Sequence, residues 1–164
     1  MTEYARLLRV LAESGTDFIL VGGIAAAAHG AIRATSDVDV VYSRDPENIA
    51  RLVAALAPLK PYLRGAPPGL PFTWDAATVA RGLNFTLTTS AGDLDLLGEI
   101  TLGGTYQDLL PHSTLVRVFD LECRCLSLER LIAVKRAAGR SKDWESIAEL
   151  EALLEERDRQ EGAS

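Results

Sequence analysis

The chain has 164 residues, enough for one domain with a sizeable core, and at 48% hydrophobic and 24% charged residues it reads as soluble and globular. The net charge of −6 argues against a broad nucleic-acid surface, which needs a basic stripe. A small nucleotide, or a macromolecule held by a local basic patch, stays compatible with it.

No window approaches the apolar length of a membrane span. The opening "MTEYARLLRVLAESG" mixes acids and arginines with its apolar residues, unlike a secretory signal, so the expected location is cytoplasmic, with no membrane partner. Cys123 and Cys125 are the only cysteines, and their C-x-C spacing is too short for an ordinary disulfide on a strand. With His29 and His112 the only histidines, buried thiols are preferred here to a zinc site.

In chain order, Thr2 to Ser14 carries apolar residues at helical spacing, with Thr2 as N-cap and Gly15 as the stop. Phe18 to Val21 reads as a buried strand. Gly22 and Gly23 turn the chain into an alanine-rich helix that ends near His29 and Gly30. Asp37 to Tyr42 is the next strand, and Asp45-Pro46 opens a helix to about Ala57. Pro58 to Phe72, rich in Pro and Gly, reads as a loop within the domain. Phe85 to Thr89 and Asp93 to Leu97 flank "SAG" as a hairpin, and Leu115 to Phe119 and Glu122 to Leu126 read as strands. Ser127 caps a helix through Ala138 that Gly139 ends, and Ser141 caps a last helix rich in Glu and Leu. Trp74 and Trp144 read as packing residues, and His29 as a helix terminus.

Side chains alternate along a strand, so Asp37 and Asp39 share one face while Val38 and Val40 take the other. Carboxylates interrupting an apolar strand are costly without a counter-charge. A divalent cation supplies one, and hard oxygen ligands without histidine suit Mg²⁺ or Mn²⁺. "GDLDLLGEI" repeats the pattern with Asp93 and Asp95, although Asp93, directly after Gly92, reads as turn chemistry. A strand–Gly-Gly–helix turn lets backbone N–H groups approach an anion such as phosphate. Each element has a plainer reading: a turn cap for the acids, a tight turn for the glycines.

Together, "LVGGIAAAAHGAIRATSDVDVV" followed by "LDLL" resembles the nucleotidyltransferase fold of the DNA polymerase beta superfamily. The small prokaryotic members, among them minimal nucleotidyltransferases and type IV abortive-infection toxins, are the nearest in pattern. Arg33-Ala34-Thr35 matches their R-x-T, and Lys135, Arg140, Lys142 and Asp143 match their "K…R.KD" element. The resemblance implies an α/β (α+β) fold over a single domain, 1–164. A short mixed sheet carries the acidic face, helices pack on its other side, and C-terminal helices span about 127–160.

The resemblance further implies a metal-dependent transferase that moves a nucleoside monophosphate from a nucleoside triphosphate to an acceptor hydroxyl on a protein, an RNA or a small molecule. Asp37 and Asp39 would hold two Mg²⁺ (or Mn²⁺) ions, and Asp95 would complete the catalytic metal site. Gly22, Gly23, Arg33, Thr35, Lys135 and Asp143 would bind nucleotide. Gly23 departs from the pattern, because many members carry serine there. Plainer readings give Arg33 a surface ion pair, Lys135 a solvated helix position and Asp143 a stabilising place in a first helical turn.

Two rival readings have their own signatures. "DVDVV" also fits the D-x-D-x-[TV] motif of haloacid-dehalogenase-type phosphatases, but no Gly-Gly helix precedes that motif there. The runner-up is a toxin–antitoxin component, either catalytic or a silent binding partner, with a cognate protein or a second copy as its partner.

Overall fold

The computed structural model describes residues 2–32, 35 and 37–162. Its elements in chain order are α1 (Tyr4–Glu13), β1 (Phe18–Val21), α2 (Gly22–Ala28), β2 (Asp37–Tyr42), α3 (Pro46–Leu56) and β3 (Tyr62–Leu63). Then follow α4 (Ala76–Arg81), β4 (Phe85–Thr89), β5 (Gly92–Leu97), β6 (Glu99–Ile100), β7 (Gly104–Thr105) and α5 (Tyr106–Leu109). The chain closes with β8 (Ser113–Val118), β9 (Leu121–Leu126), α6 (Leu128–Ala138) and α7 (Trp144–Gly162).

Seven strands form one mixed sheet in the order β3-β4-β5-β2-β1-β9-β8. Pairing is antiparallel between β1 and β2 and within the two hairpins, and parallel between β2 and β5 and between β1 and β9. β6 and β7 pair separately. None of the helices among the described residues is long and apolar enough to cross a membrane.

Alternation explains which side is buried. Val38 and Val40 of β2, with Leu94 and Leu96 of β5, are fully buried. They join Leu7, Leu8 and Leu11 of α1 and Ile49, Leu52 and Leu56 of α3 in one core cluster. Each fully buried aliphatic side chain stabilises the fold by about 1.5–3 kcal/mol. The intervening aspartates project from the opposite face. β1 is buried at every position, as a central strand flanked on both edges must be.

Several expectations need correction. The N-cap of α1 is Glu3, with no side-chain cap, because the Thr2 hydroxyl accepts instead from the Asp93 N–H at 3.2 Å. The Pro58–Phe72 segment is not all loop. It holds a 3-10 turn over Ala57–Leu59 and the edge strand β3, paired with β4. Ser141 does not cap the last helix: Ser141–Asp143 form a 3-10 turn ahead of α7. Trp144 is 63% exposed and so is not a packing residue, whereas Trp74 does pack against the core and donates to the Val53 carbonyl at 3.0 Å. The short elements α4, α5, β6 and β7 have no counterpart in the sequence reading.

Two polar ties hold the frame. Buried Asn48 accepts from the Asp17 N–H at 2.7 Å and donates to the carbonyls of Asp17 and Ser43 at 3.1 and 2.9 Å. His29, the C-cap residue of α2, bonds through Nε2 to the Leu126 carbonyl at 2.9 Å, so that nitrogen carries the proton.

Candidate active site

The register of β2 and β5 builds the acidic face. In this parallel pair Asp37 lies beside Asp93 and Asp39 beside Asp95. Like charges at neighbouring positions of paired strands repel, so the alignment works against sheet stability. Carboxylate oxygens of Asp37, Asp39 and Asp95 lie within 4.8 Å of one another, the only such group of potential ligands among the described residues.

Electrostatics record that crowding. Burial is the largest cause pushing the Asp39 carboxyl up to about 8, from the ordinary 3.8. A hydrogen bond with Asp95 and the charges of Asp37 and Asp95 add to it, and Arg64 opposes it. Asp37 is raised for the same reasons, again chiefly by burial. The Asp95 Oδ1 atom is buried and has no hydrogen-bond partner. Three clustered carboxylates, one with a buried oxygen that meets Arg64 Nη2 only as a charge at 2.9 Å, are a donor set that fits a hard divalent cation. Asp37, Asp39 and Asp95 are the residues that could hold it.

The glycine turn abuts this cluster. Gly22 begins α2 at φ +68, a left-handed conformation, and a Cβ placed there would lie 2.9 Å from Asp39 Cγ and overlap its Oδ2. A Cβ on Gly23 would lie 2.6 Å from both Cβ and Oγ1 of Thr35. The Thr35 hydroxyl donates to the Asp37 carbonyl at 3.2 Å, and its own carbonyl accepts from the Tyr4 hydroxyl. Thr35 therefore packs on the glycine turn with its hydroxyl engaged locally. Arg33 lies outside the described residues.

A cleft of about 180 Å³ runs from Gly22 and Asp39 to α6, walled by Leu97, Leu131 and Val134 and edged by Lys135 and Arg140. Asp143 holds both cations: Lys135 Nζ is 3.7 Å from its Oδ1, and Arg140 Nε donates to its Oδ2 at 2.8 Å. Asp143 is only 7% exposed, so its role in a first helical turn gives way to that of a buried anchor for these two side chains. A larger cavity, about 580 Å³, opens on the far side of the acids. It is lined by Thr2, Tyr4, Thr35, Thr88 and Ser90, together with Asp93.

Arg64 is the residue that sequence reading missed. It follows β3 and its guanidinium reaches three acids: Asp95 at 2.9 Å, Asp93 at 3.4 Å and Asp37 at 3.8 Å. Asp93 is thus an ion-pair partner on the acidic face as well as a residue next to a turn. The signal available in the sequence was the excess of aspartates over any simple metal set. Cys123 and Cys125 are buried free thiols, and burial pushes Cys125 up to about 12, which keeps it an inert SH group.

No protein-family model matches the chain, and no curated protein matches it. Solved structures do. A lincosamide antibiotic adenylyltransferase, LnuA, solved with lincomycin bound, superposes with TM-score 0.61 at 16% identity, over 92% of this chain and 96% of that one. The adenylyltransferase ANT(2")-Ia, solved in complex with adenylyl-2"-tobramycin, gives 0.59 at 16% identity, over 92% of this chain and 87% of that one. A Thermotoga maritima protein provisionally assigned as a nucleotidyltransferase gives 0.58 at 16% identity, over 95% and 96% of the two chains. This chain has the nucleotidyltransferase fold.

Proposed function

We propose that this protein transfers a nucleoside monophosphate from a nucleoside triphosphate to an acceptor hydroxyl. The observation that carries the reading is the meeting of Asp37, Asp39 and Asp95 on one sheet face directly against the Gly22 turn. In the reaction the acceptor oxygen bonds to the α-phosphorus, pyrophosphate leaves, and the hydroxyl proton is released.

Asp37, Asp39 and Asp95 would hold Mg²⁺ or Mn²⁺, with Asp95 as the residue that would favour deprotonation of the acceptor hydroxyl. Bound divalent ions supply charge stabilisation to the attacking and leaving oxygens. The chain's own residues do the positioning. Gly22 and Gly23 bring backbone close to the phosphates, and Lys135 and Arg140, anchored by Asp143, edge the cleft in which the nucleotide lies. Its apolar wall suits a base or ribose face. The larger cavity beside Asp93 suits a polar acceptor. Fold neighbours solved with an antibiotic or an adenylylated antibiotic support an adenylyl donor and a small-molecule acceptor.

The test is incubation with each labelled triphosphate and Mg²⁺ or Mn²⁺, against small-molecule polyols, whole-cell RNA and protein. Label in a partner polypeptide would instead support a toxin–antitoxin component. Asp95→Asn should keep most nucleotide binding while turnover falls by orders of magnitude, the signature of an interaction made mainly in the transition state. Wild-type transfer rates in Asp95→Asn would overturn the assignment.

A further inference from the structure

Among the described residues, four carboxylates, not three, occupy the acidic face, and one cation, Arg64, stands among them. Asp37, Asp39 and Asp95 group as a ligand set, leaving Asp93 outside it, and Arg64 contacts Asp93 as well as two members of the set. The arginine is also tied down. Its backbone N–H donates to the Thr86 carbonyl at 3.0 Å, and its Nη2 donates to the Leu87 carbonyl at 2.6 Å. Both carbonyls belong to β4, so these bonds keep the guanidinium on the acidic face. Its bonds to the acids are incomplete, because Arg64 Nε and Asp95 Oδ1 are both buried without a hydrogen-bond partner. The Arg64–Asp95 contact is therefore a charge pair rather than a fitted hydrogen bond, and a stronger cation can take it over.

We propose that Arg64 is a resident counter-cation that competes with divalent metal for Asp37 and Asp95 and is retained by Asp93 when metal binds. This rests on the nucleotide-transfer reading of the same acids. A guanidinium and a divalent ion on the same carboxylates repel each other, so binding one weakens the other reciprocally. Asp93 gives the displaced side chain a place to stay, next to the larger cavity. Arg64 is thus a positioning residue: it neutralises the acids in the free protein and faces the acceptor side once they are engaged.

The test measures Mn²⁺ binding without nucleotide, by calorimetry and by the EPR signal of free Mn²⁺, in wild type, Arg64→Gln, Arg64→Lys and Asp39→Asn. Arg64→Gln should bind Mn²⁺ about tenfold more tightly, within the usual range of coupling between two ligands. Its metal-free melting temperature should fall below that of wild type. Arg64→Lys keeps the charge and should stay near wild type on both measures. Should Arg64→Gln fail to fold, the Arg64 Nε–H NMR signal of wild type, titrated with Mg²⁺, replaces it: movement that Asp39→Asn abolishes supports the proposal, and an unmoved signal overturns it. Equal or weaker Mn²⁺ binding by Arg64→Gln, with wild-type binding still dependent on Asp39, overturns the role of Arg64 alone. Absence of Asp39-dependent Mn²⁺ binding in both proteins overturns the metal site and the transfer reading with it.

Discussion

Gly23 and Thr35 face each other so closely that any side chain on Gly23 would overlap the threonine. The serine that the family resemblance leads one to expect at this position would have no room beside Thr35. Gly23→Ser should destabilise the protein by about 1–3 kcal/mol through overpacking. Thr35→Ala should relieve most of that loss when combined with it, a coupling that a double-mutant cycle in chemical denaturation reads directly.

The Asp39 carboxyl gives the metal-free protein a signed pH dependence. Its folded value of about 8 lies above the ordinary 3.8, so between the two the folded state holds a proton that the unfolded chain has lost. Stability is therefore greatest at the acid end of this window and falls as pH rises through it. Melting temperature in chelator should decline from about pH 5 to about pH 8, and Asp39→Asn should flatten the slope. At the upper end Asp39→Asn should be more stable than wild type by roughly 1 kcal/mol, the usual sign for a residue kept for function. Divalent metal needs the deprotonated acid, so Mn²⁺ affinity should rise over the same range in wild type.

Removing the anchor of Lys135 and Arg140 should affect substrate binding more than folding. Arg140 is largely exposed and Lys135 partly so, and both can re-solvate when Asp143 is lost. Asp143→Ala should raise KM for the triphosphate about tenfold with a smaller change in kcat, because a ground-state contact is what weakens. A fall in kcat with KM unchanged would place Asp143 in the chemistry instead.

Asn48 offers a stability test away from the acids. Its amide bonds to the backbone groups of Asp17 and Ser43 beside β1 and β2, and its Oδ1 also accepts from Arg51 at 3.4 Å. Asn48→Ala strips the buried Ser43 carbonyl of this bond, while the Asp17 carbonyl keeps the Ser43 N–H at 3.1 Å, and should cost about 1–3 kcal/mol in urea unfolding. Metal binding in the folded fraction should be unchanged.

The legible parts of the sequence were those in which one period dominates. β1 and β2 run from Phe18 to Val21 and from Asp37 to Tyr42 as read, because alternation or a continuous apolar run sets a strand without help from distant contacts. That Asp37 and Asp39 share a face was legible for the same reason, whereas their meeting with Asp95 followed only from the resemblance, because β2 reaches β5 through a tertiary pairing. Arg64 was not, because β3 has only the residues Tyr62 and Leu63, too short for any period to show, within a stretch punctuated by proline and glycine. Its place beside Asp95 comes from β3 pairing with β4, a tertiary event. For Asp143 the resemblance implies a nucleotide contact and local spacing a place in a first helical turn, but neither reports its burial, and for Trp144 bulk is no guarantee of packing.

The parallel pairing of β2 with β5 bears on the order of folding events. These strands are distant in sequence, and non-local parallel pairings close late and slowly. The facing aspartates meet only at that step, so their repulsion belongs to the barrier rather than to either half of the chain alone. Added salt should screen it, and the refolding rate should climb with ionic strength by more than the unfolding rate falls. The acids that equip the sheet for chemistry thus also set the pace at which it assembles.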